Sequence, residues 1–256
     1  MKKVFVAALM VALFVAAADA YLGQVVGSFM SPAGTLTRGL ARSASYLYVL
    51  DGNNPGLVYR LNPTTGSVYG YDILPFAGSN RGLGFVYGSF LYVGNDTNDR
   101  VYRVNADTNS VVTSWPANHD PFGLAAYCTG DGGQNTTAIY STDSSPSAIY
   151  THEPWSGSIT NSVTIAGASD YDCAYDWRNT CLWLGRSNSY VYGYTPSGVV
   201  MGSFSAPQPY PTGLAYYGSY LWVSCTSYGY IYRIHCPQGF VGAEPVSLGH
   251  VKALYR

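Results

Sequence analysis

The sequence predicts an all-β protein, a β-propeller of five four-stranded blades, or of six blades if the two termini form an extra one. Three observations predict this fold class. A set of short apolar motifs recurs five times along the chain, about 40 to 48 residues apart. Each repeat contains four apolar stretches that are separated by Gly, Asn and Pro turns. After the first twenty residues, no stretch shows a sustained helical period.

The first two strands of each repeat carry the clearest motifs. The opening strand is built of small residues, at Gly39-Leu40-Ala41, Gly82-Leu83-Gly84, Gly123-Leu124-Ala125, Cys173-Ala174-Tyr175 and Gly213-Leu214-Ala215. The second strand is centred on a large aromatic residue, at Tyr48, Tyr92, Tyr140, Trp183 and Trp222. We expect these two strands to open each blade.

The other two strands follow at a nearly constant distance. The third strand carries a tyrosine 9 to 11 residues after the aromatic, at Tyr59, Tyr102, Tyr150, Tyr192 and Tyr232. A turn then leads to the fourth strand, at 62–66, 105–109, 153–157, 195–198 and 236–239. Pro presets the backbone angle of such a turn, and Gly or Asn adopts its left-handed position. The spacing therefore predicts four strands in every blade.

These motifs together resemble a known type of repeat. Gly-Leu-Ala, Tyr-Leu-Trp/Tyr-Val, Val-Tyr-Arg and Pro-x-x-Gly are similar to the repeats of bacterial NHL-like and streptogramin-lyase-like propellers, across residues 21 to 246. The resemblance implies a closed ring with a central mouth. Streptogramin-type lyases use His and Glu residues with a metal at that mouth, and this sequence has neither residue type at the corresponding positions.

The chain divides into three segments. Residues 1–20 are predicted to be a secretory signal peptide, because Lys2 and Lys3 precede an apolar run that ends in Ala18-Asp19-Ala20. That run is shorter than the roughly 20 residues that cross a membrane, so we expect a secreted protein without membrane insertion after cleavage. Residues 21–246 are predicted to form a single propeller domain. Residues 247–256 are predicted to be a C-terminal strand or tail.

Two segments compete for the outer position of the last blade. Gly23-Gln-Val-Val-Gly-Ser-Phe29 resembles Gly198-Val-Val-Met-Gly-Ser-Phe204, which is the outer strand of the fourth repeat. The N-terminal strand could therefore complete the last blade and close the ring. The segment 240–245 follows the last turn directly and could take the same place. One strand would then be surplus.

Composition limits the classes of partner. Without residues 1–20, the chain has 11 basic and 13 acidic residues, which argues against a nucleic-acid partner. Charged residues make up only 11% of the chain, and there are 25 tyrosines. Tyrosine suits half-buried strands and adhesive surfaces. We therefore expect protein partners or copies of the chain itself, as a homo-oligomer or filament.

The five cysteines predict disulfides in an exported protein, with at most two bridges. They are Cys128, Cys173, Cys181, Cys225 and Cys236, and their spacing leaves the pairing open. Metal binding is less favoured, because there is no Cys-x-x-Cys motif and no nearby His pair.

A candidate binding site follows from the repeat. The residues just before each inner strand should meet at the mouth, and they include Arg38, Arg81, Asp170 and Asp172. These four could hold a carboxylate, a sugar or a phosphate, or they could neutralise one another around a solvated channel. We predict no catalytic residue, metal or cofactor, since the chain has two glutamates and four histidines at unrelated repeat positions.

These observations favour a secreted, non-catalytic scaffold that assembles into filaments or tubes through spare terminal strands. The alternative is a propeller lyase or cyclase that acts on a small molecule or a polysaccharide at the central mouth.

Overall fold

The computed structural model describes residues 21–86, 89–128, 136–145, 147–167 and 169–239. Apart from the short 3-10 turn Gly34–Leu36, its regular structure consists of strands. They are β1 (Val25–Met30), β2 (Thr37–Arg42), β3 (Leu47–Asp51), β4 (Leu57–Leu61), β5 (Val68–Ile73), β6 (Asn80–Val86), β7 (Phe90–Asn95), β8 (Arg100–Asn105), β9 (Ser110–Pro116), β10 (Gly123–Cys128), β11 (Thr136–Ser144), β12 (Ser147–His152), β13 (Ile159–Thr164), β14 (Asp170–Asp176), β15 (Cys181–Arg186), β16 (Tyr190–Tyr194), β17 (Val200–Ser205), β18 (Pro211–Tyr217), β19 (Tyr220–Cys225) and β20 (Tyr230–His235). No helix in these ranges is both long and apolar enough to cross a bilayer.

The strands form five four-stranded antiparallel sheets, one for each sequence repeat. Blades 1 to 4 take their strands in chain order, from the inside outwards, as β2–β5, β6–β9, β10–β13 and β14–β17. Blade 5 consists of β18, β19 and β20 with β1 on the outside. Each innermost strand contacts the innermost strands of both neighbouring blades, and β18 contacts β2. The predicted five-bladed propeller is confirmed, and the described residues contain no sixth blade.

The ring is closed by the N-terminal strand. β1 pairs antiparallel with β20, so that Ser28 lies opposite Tyr232 and Met30 opposite Tyr230. The first of the two competing segments therefore fills blade 5, and the expectation that an N-terminal strand is spare for assembly is wrong. The competing segment 240–245 and the predicted tail 247–256 lie outside the described residues.

The hydrophobic core lies between neighbouring blades. In each blade a large aromatic residue of the second strand lies opposite a small residue of the first strand. All five second-strand aromatics are buried. Tyr48 lies opposite Ala41 and stacks on Phe85 of blade 2 at 5.4 Å. The small residue leaves room for the neighbouring blade, and for this reason the Gly-Leu-Ala and Tyr-Leu-Trp motifs recur together.

In blade 4 the motif is shifted by one residue from the sequence alignment. Ala174 lies opposite Trp183, as Ala41 lies opposite Tyr48 in blade 1. The residue that takes the place of the motif glycine is therefore Asp172. The alignment on small residues missed this register because blade 4 has no glycine to mark it.

Candidate functional site

Five equivalent residues surround the propeller axis, and four of them are glycines. They are Gly39, Gly82, Gly123, Asp172 and Gly213. A Cβ atom at Gly82 would lie 2.6 Å from the Leu124 nitrogen, and one at Gly123 would lie 2.7 Å from the Asp172 Cα. The inner strands thus approach one another too closely for side chains at these two positions. Of the five residues, only Asp172 brings a side chain to the axis.

The Asp172 carboxylate is fully buried and accepts hydrogen bonds from four main-chain N–H groups. Oδ2 accepts from Leu214 at 2.7 Å and from Leu40 at 3.5 Å. Oδ1 accepts from Cys173 at 2.9 Å and from Leu124 at 3.4 Å. Burial raises the pKa of Asp172 well above its usual range, and the four N–H groups oppose that rise. The carboxylate joins blades 1, 3, 4 and 5, so it is engaged by the protein's own main chain and not exposed to a ligand at the mouth.

The five residues around the axis form the hub of the propeller. Above this hub, at the mouth, lies a cavity of about 170 Å³. It is lined by Leu36, Thr37, Arg38, Arg81, Phe122, Tyr171, Thr212 and Thr226. Five of these residues come one from each blade, each directly before its hub residue: Arg38, Arg81, Phe122, Tyr171 and Thr212. The repeat correctly placed Arg38 and Arg81 together, and their binding role stays a prediction.

The two arginines differ in how they are paired. Arg81 forms an ion pair with Asp96, and its guanidinium carbon lies 4.0 Å from the centre of the Phe122 ring. Arg38 Nη1 is buried and has no hydrogen-bond partner. Burial, and next the charge of Arg81, lower the pKa of Arg38.

Asp170 was also predicted to face the mouth. Its main chain belongs to β14, opposite Arg186, and its side chain lies outside what the structure describes. Among the described residues, Asp96 is thus the one carboxylate that pairs with the mouth arginines.

Asp120 provides a pH-dependent group next to this site, two residues before Phe122. Burial, and then the negative charge of Asp96, raise its pKa to about 6. Because this value lies above the unfolded one of 3.8, folding is favoured as the pH falls below about 6 and is disfavoured as the pH rises through 6. We expect Asp120→Asn to be more stable than the wild type at pH 7.5, with the difference shrinking towards zero at pH 4. Urea unfolding at both pH values measures this, and equal stability at pH 7.5 would contradict it.

A second polar cluster, which no pattern in the sequence predicts, is buried at blade 3 and consists of His119, Ser141 and His152. Ser141 Oγ lies 2.7 Å from His119 Nε2 and 2.7 Å from His152 Nε2. Each Nδ1 faces a carbonyl oxygen, of Ala117 at 2.7 Å and of Gly157 at 3.0 Å. Burial lowers the pKa of both imidazoles, that of His119 to about 4. These groups do not line the mouth cavity, so they do not supply it with a base.

The predicted disulfides are absent from the described side chains. Cys181, Cys225 and Cys236 are unbridged and buried, Cys173 is also buried, and burial raises the pKa of Cys225 to about 12. Such thiols are inert. The side chain of Cys128 lies outside the described residues. The described part of the chain also contains no cluster of three or more His, Cys, Asp or Glu residues that could hold a metal ion.

Solved structures share this fold. Glutaminyl cyclase from Myxococcus xanthus has a TM-score of 0.68 and 13% identity, and the match covers 83% of this chain and 95% of that chain. A chain of a nidogen/laminin complex has a TM-score of 0.54 and 18% identity, over 76% of this chain and 73% of that chain. At these identities the likeness shows the fold alone.

No family model matches the chain, and no curated protein matches it in sequence. The propeller architecture implied by the resemblance is thus confirmed, whereas the relation to NHL-like or streptogramin-lyase-like proteins stays a prediction.

Proposed function

We propose that this chain is an exported, non-catalytic scaffold that associates with a second copy of itself through the outer edge of blade 1. Export is supported by the signal-like residues 1–20. Because β1 closes the ring, the surfaces that the described residues offer for self-association are the outer edges of the blades. Three properties of these edges support the proposal: their open main chain, their lack of charge, and the exposed apolar side chains of β5.

The outer strands are β1, β5, β9, β13 and β17, and each has one strand neighbour in its blade. Their other edge leaves N–H and C=O groups open to pairing, except that in β5 the Ile73 carbonyl accepts a hydrogen bond from the Asn109 side chain of blade 2. Soluble proteins usually protect such edges with charged residues, especially Lys. These five strands contain a single charged residue, Asp72, and it is ion-paired with Arg60 of the adjacent strand at 3.2 Å. The edges thus lack the usual protection against strand addition.

Blade 1 has the most apolar of these edges. In β5, Val68 is 51% exposed, Tyr69 63%, Tyr71 60% and Ile73 63%. Successive side chains of a strand point to opposite faces, so Tyr69, Tyr71 and Ile73 share one face. This concentration of exposed aromatic and branched residues favours protein contact over solvent.

A second copy of β5 is a complementary occupant for this edge. In an antiparallel pairing centred on Tyr71, the two Tyr71 residues lie opposite each other and Tyr69 lies opposite Ile73. Asp72 then lies opposite Gly70, so no like charges oppose each other across the pair. Aromatic cross-strand pairs stabilise such contacts by roughly 0.2–1 kcal/mol each. The pairing is two-fold symmetric, which closes a dimer.

The test is to charge this edge. We expect the wild type to sediment as a dimer, and Tyr69→Lys/Tyr71→Lys to sediment as a monomer with an unchanged circular dichroism spectrum, because four lysines would then crowd one face of the paired strands. Sedimentation velocity measures the change.

The matched control is Thr160→Lys/Ser162→Lys, which places the same charges on exposed positions of β13 in blade 3. It should remain dimeric. A wild type that is monomeric at all concentrations, or a control that dissociates equally, would overturn the proposal.

An enzyme acting at the mouth is the second candidate. It is favoured by the mouth cavity together with the fold shared with glutaminyl cyclase. Turnover of peptides with N-terminal glutamine by the purified protein would support an enzyme over a scaffold.

A further inference from the structure

We infer that the mouth cavity is a binding site for a small carboxylate that carries an apolar body. The inference is independent of the outer edge of blade 1. It depends on the two arginines, on the rings beside them and on the size of the cavity.

The charges at the mouth favour the binding of an anion. Arg38 and Arg81 both line the cavity, and the described residues pair only Arg81 with a carboxylate, that of Asp96. The Asp172 carboxylate below makes its bonds to main-chain N–H groups. The Arg38 guanidinium therefore has no carboxylate in direct contact, and the charge of Asp96 acts on it only at longer range.

Arg38 also has an unused donor. Its Nη1 atom is buried without a hydrogen-bond partner, whereas buried polar groups in proteins are nearly always bonded. The charge of Arg81 additionally disfavours the positive charge of Arg38. An anion that binds between the two arginines would reduce this repulsion and accept hydrogen bonds from the guanidinium groups that line the cavity. The planar guanidinium fork matches a carboxylate in geometry.

The rest of the lining selects an apolar body. Phe122 lies beneath the Arg81 guanidinium, and Leu36 and Tyr171 complete the apolar wall. The hydroxyl of Thr212 is already engaged, since it donates to the Thr37 carbonyl at 2.7 Å. A cavity of about 150 Å³ holds benzene, so a cavity of about 170 Å³ accommodates one ring with its carboxylate. Benzoate has this size and chemistry.

Two sources could supply this chemistry, a free aromatic acid and the C-terminal residue of a peptide. Both present a carboxylate on an apolar body. A peptide ending in Phe with a free carboxylate, compared with its C-terminal amide, tests the second source. Benzoate, compared with the neutral benzamide, tests the first.

The experiment is isothermal titration of the full mature chain with benzoate, benzamide, inorganic phosphate and the two peptides. We expect benzoate to bind at least tenfold more tightly than benzamide, because a charged hydrogen bond is lost with the amide. Phosphate should bind more weakly than benzoate, because it lacks the apolar body. Equal affinities for benzoate and benzamide, or no benzoate binding at millimolar concentration, would overturn the inference.

Variants locate the site. Arg38→Gln should weaken benzoate at least tenfold, and Phe122→Ala should weaken it while leaving the low affinity for phosphate unchanged. Arg100→Gln is the matched control, because Arg100 bonds Ser114 at 2.8 Å and does not line the cavity. Retained affinity in both Arg38→Gln and Phe122→Ala would contradict the site. The monomeric Tyr69→Lys/Tyr71→Lys variant should still bind benzoate, so failure of dimerisation and failure of this site are distinguishable.

Discussion

Deletion of residues 21–30 is expected to abolish the cooperative unfolding of the propeller. These residues contain β1, which supplies the fourth strand of blade 5 and links the two ends of the chain. Phe29 packs against the core between blades 1 and 5, and Leu22 packs against the core between blades 4 and 5. Their removal would expose the edge of β20 and both cores at once. Urea unfolding followed by near-ultraviolet circular dichroism measures the loss.

The control for this deletion restores the strand in trans. A synthetic peptide with the sequence of residues 21–30, added in excess, should recover the native spectrum by adding to the edge of β20. A peptide in which Phe29 is replaced by Ser should recover less. A truncated chain that unfolds with an undiminished midpoint would show that the ring closes without β1.

Asp172→Leu is expected to destabilise the protein by about 3 to 5 kcal/mol. Leu has a similar size but accepts no hydrogen bond, so the N–H groups of Leu40, Leu124 and Leu214 would be buried and unpaired. Chemical unfolding of the variant and the wild type at pH 7 measures the difference.

Asp172→Gly is the matched control for this substitution. It restores the residue that the other four blades have at this position, and it opens the axis so that water can reach the three N–H groups. We expect it to cost less than half as much as Leu. If Gly were the more harmful of the two, the role assigned to the Asp172 carboxylate would be wrong.

The blades and the mouth were predictable because both follow from the repeat period. The spacing of Tyr48 and its equivalents locates the blades, and the residue before each inner strand locates Arg38 and Arg81. The choice of β1 for closure was not predictable, since segments 23–29 and 240–245 both suit an outer strand and the sequence does not give their pairing energies.

Other features depend on contacts that no local pattern records. His119 lies in the loop between β9 and β10 and His152 lies at the end of β12, and the two meet at Ser141. Asp172 was assigned to the mouth because blade 4 lacks the glycine that marks the register. The shift is visible in the strand pairing. The residue after the aromatic is Leu184 in blade 4 and lies opposite Cys173; in blade 1 it is Val49 and lies opposite Leu40. Cys173 therefore corresponds to Leu40.

The single acid among four glycines makes the five blades non-interchangeable. A ring assembled from five copies of blade 4 would force five carboxylates onto one dry axis, where like charges repel. A ring assembled from five copies of blade 1 would leave the same axis without a side-chain acceptor, and water would have to take its place. The five inner strands therefore cannot be exchanged without changing what occupies the axis.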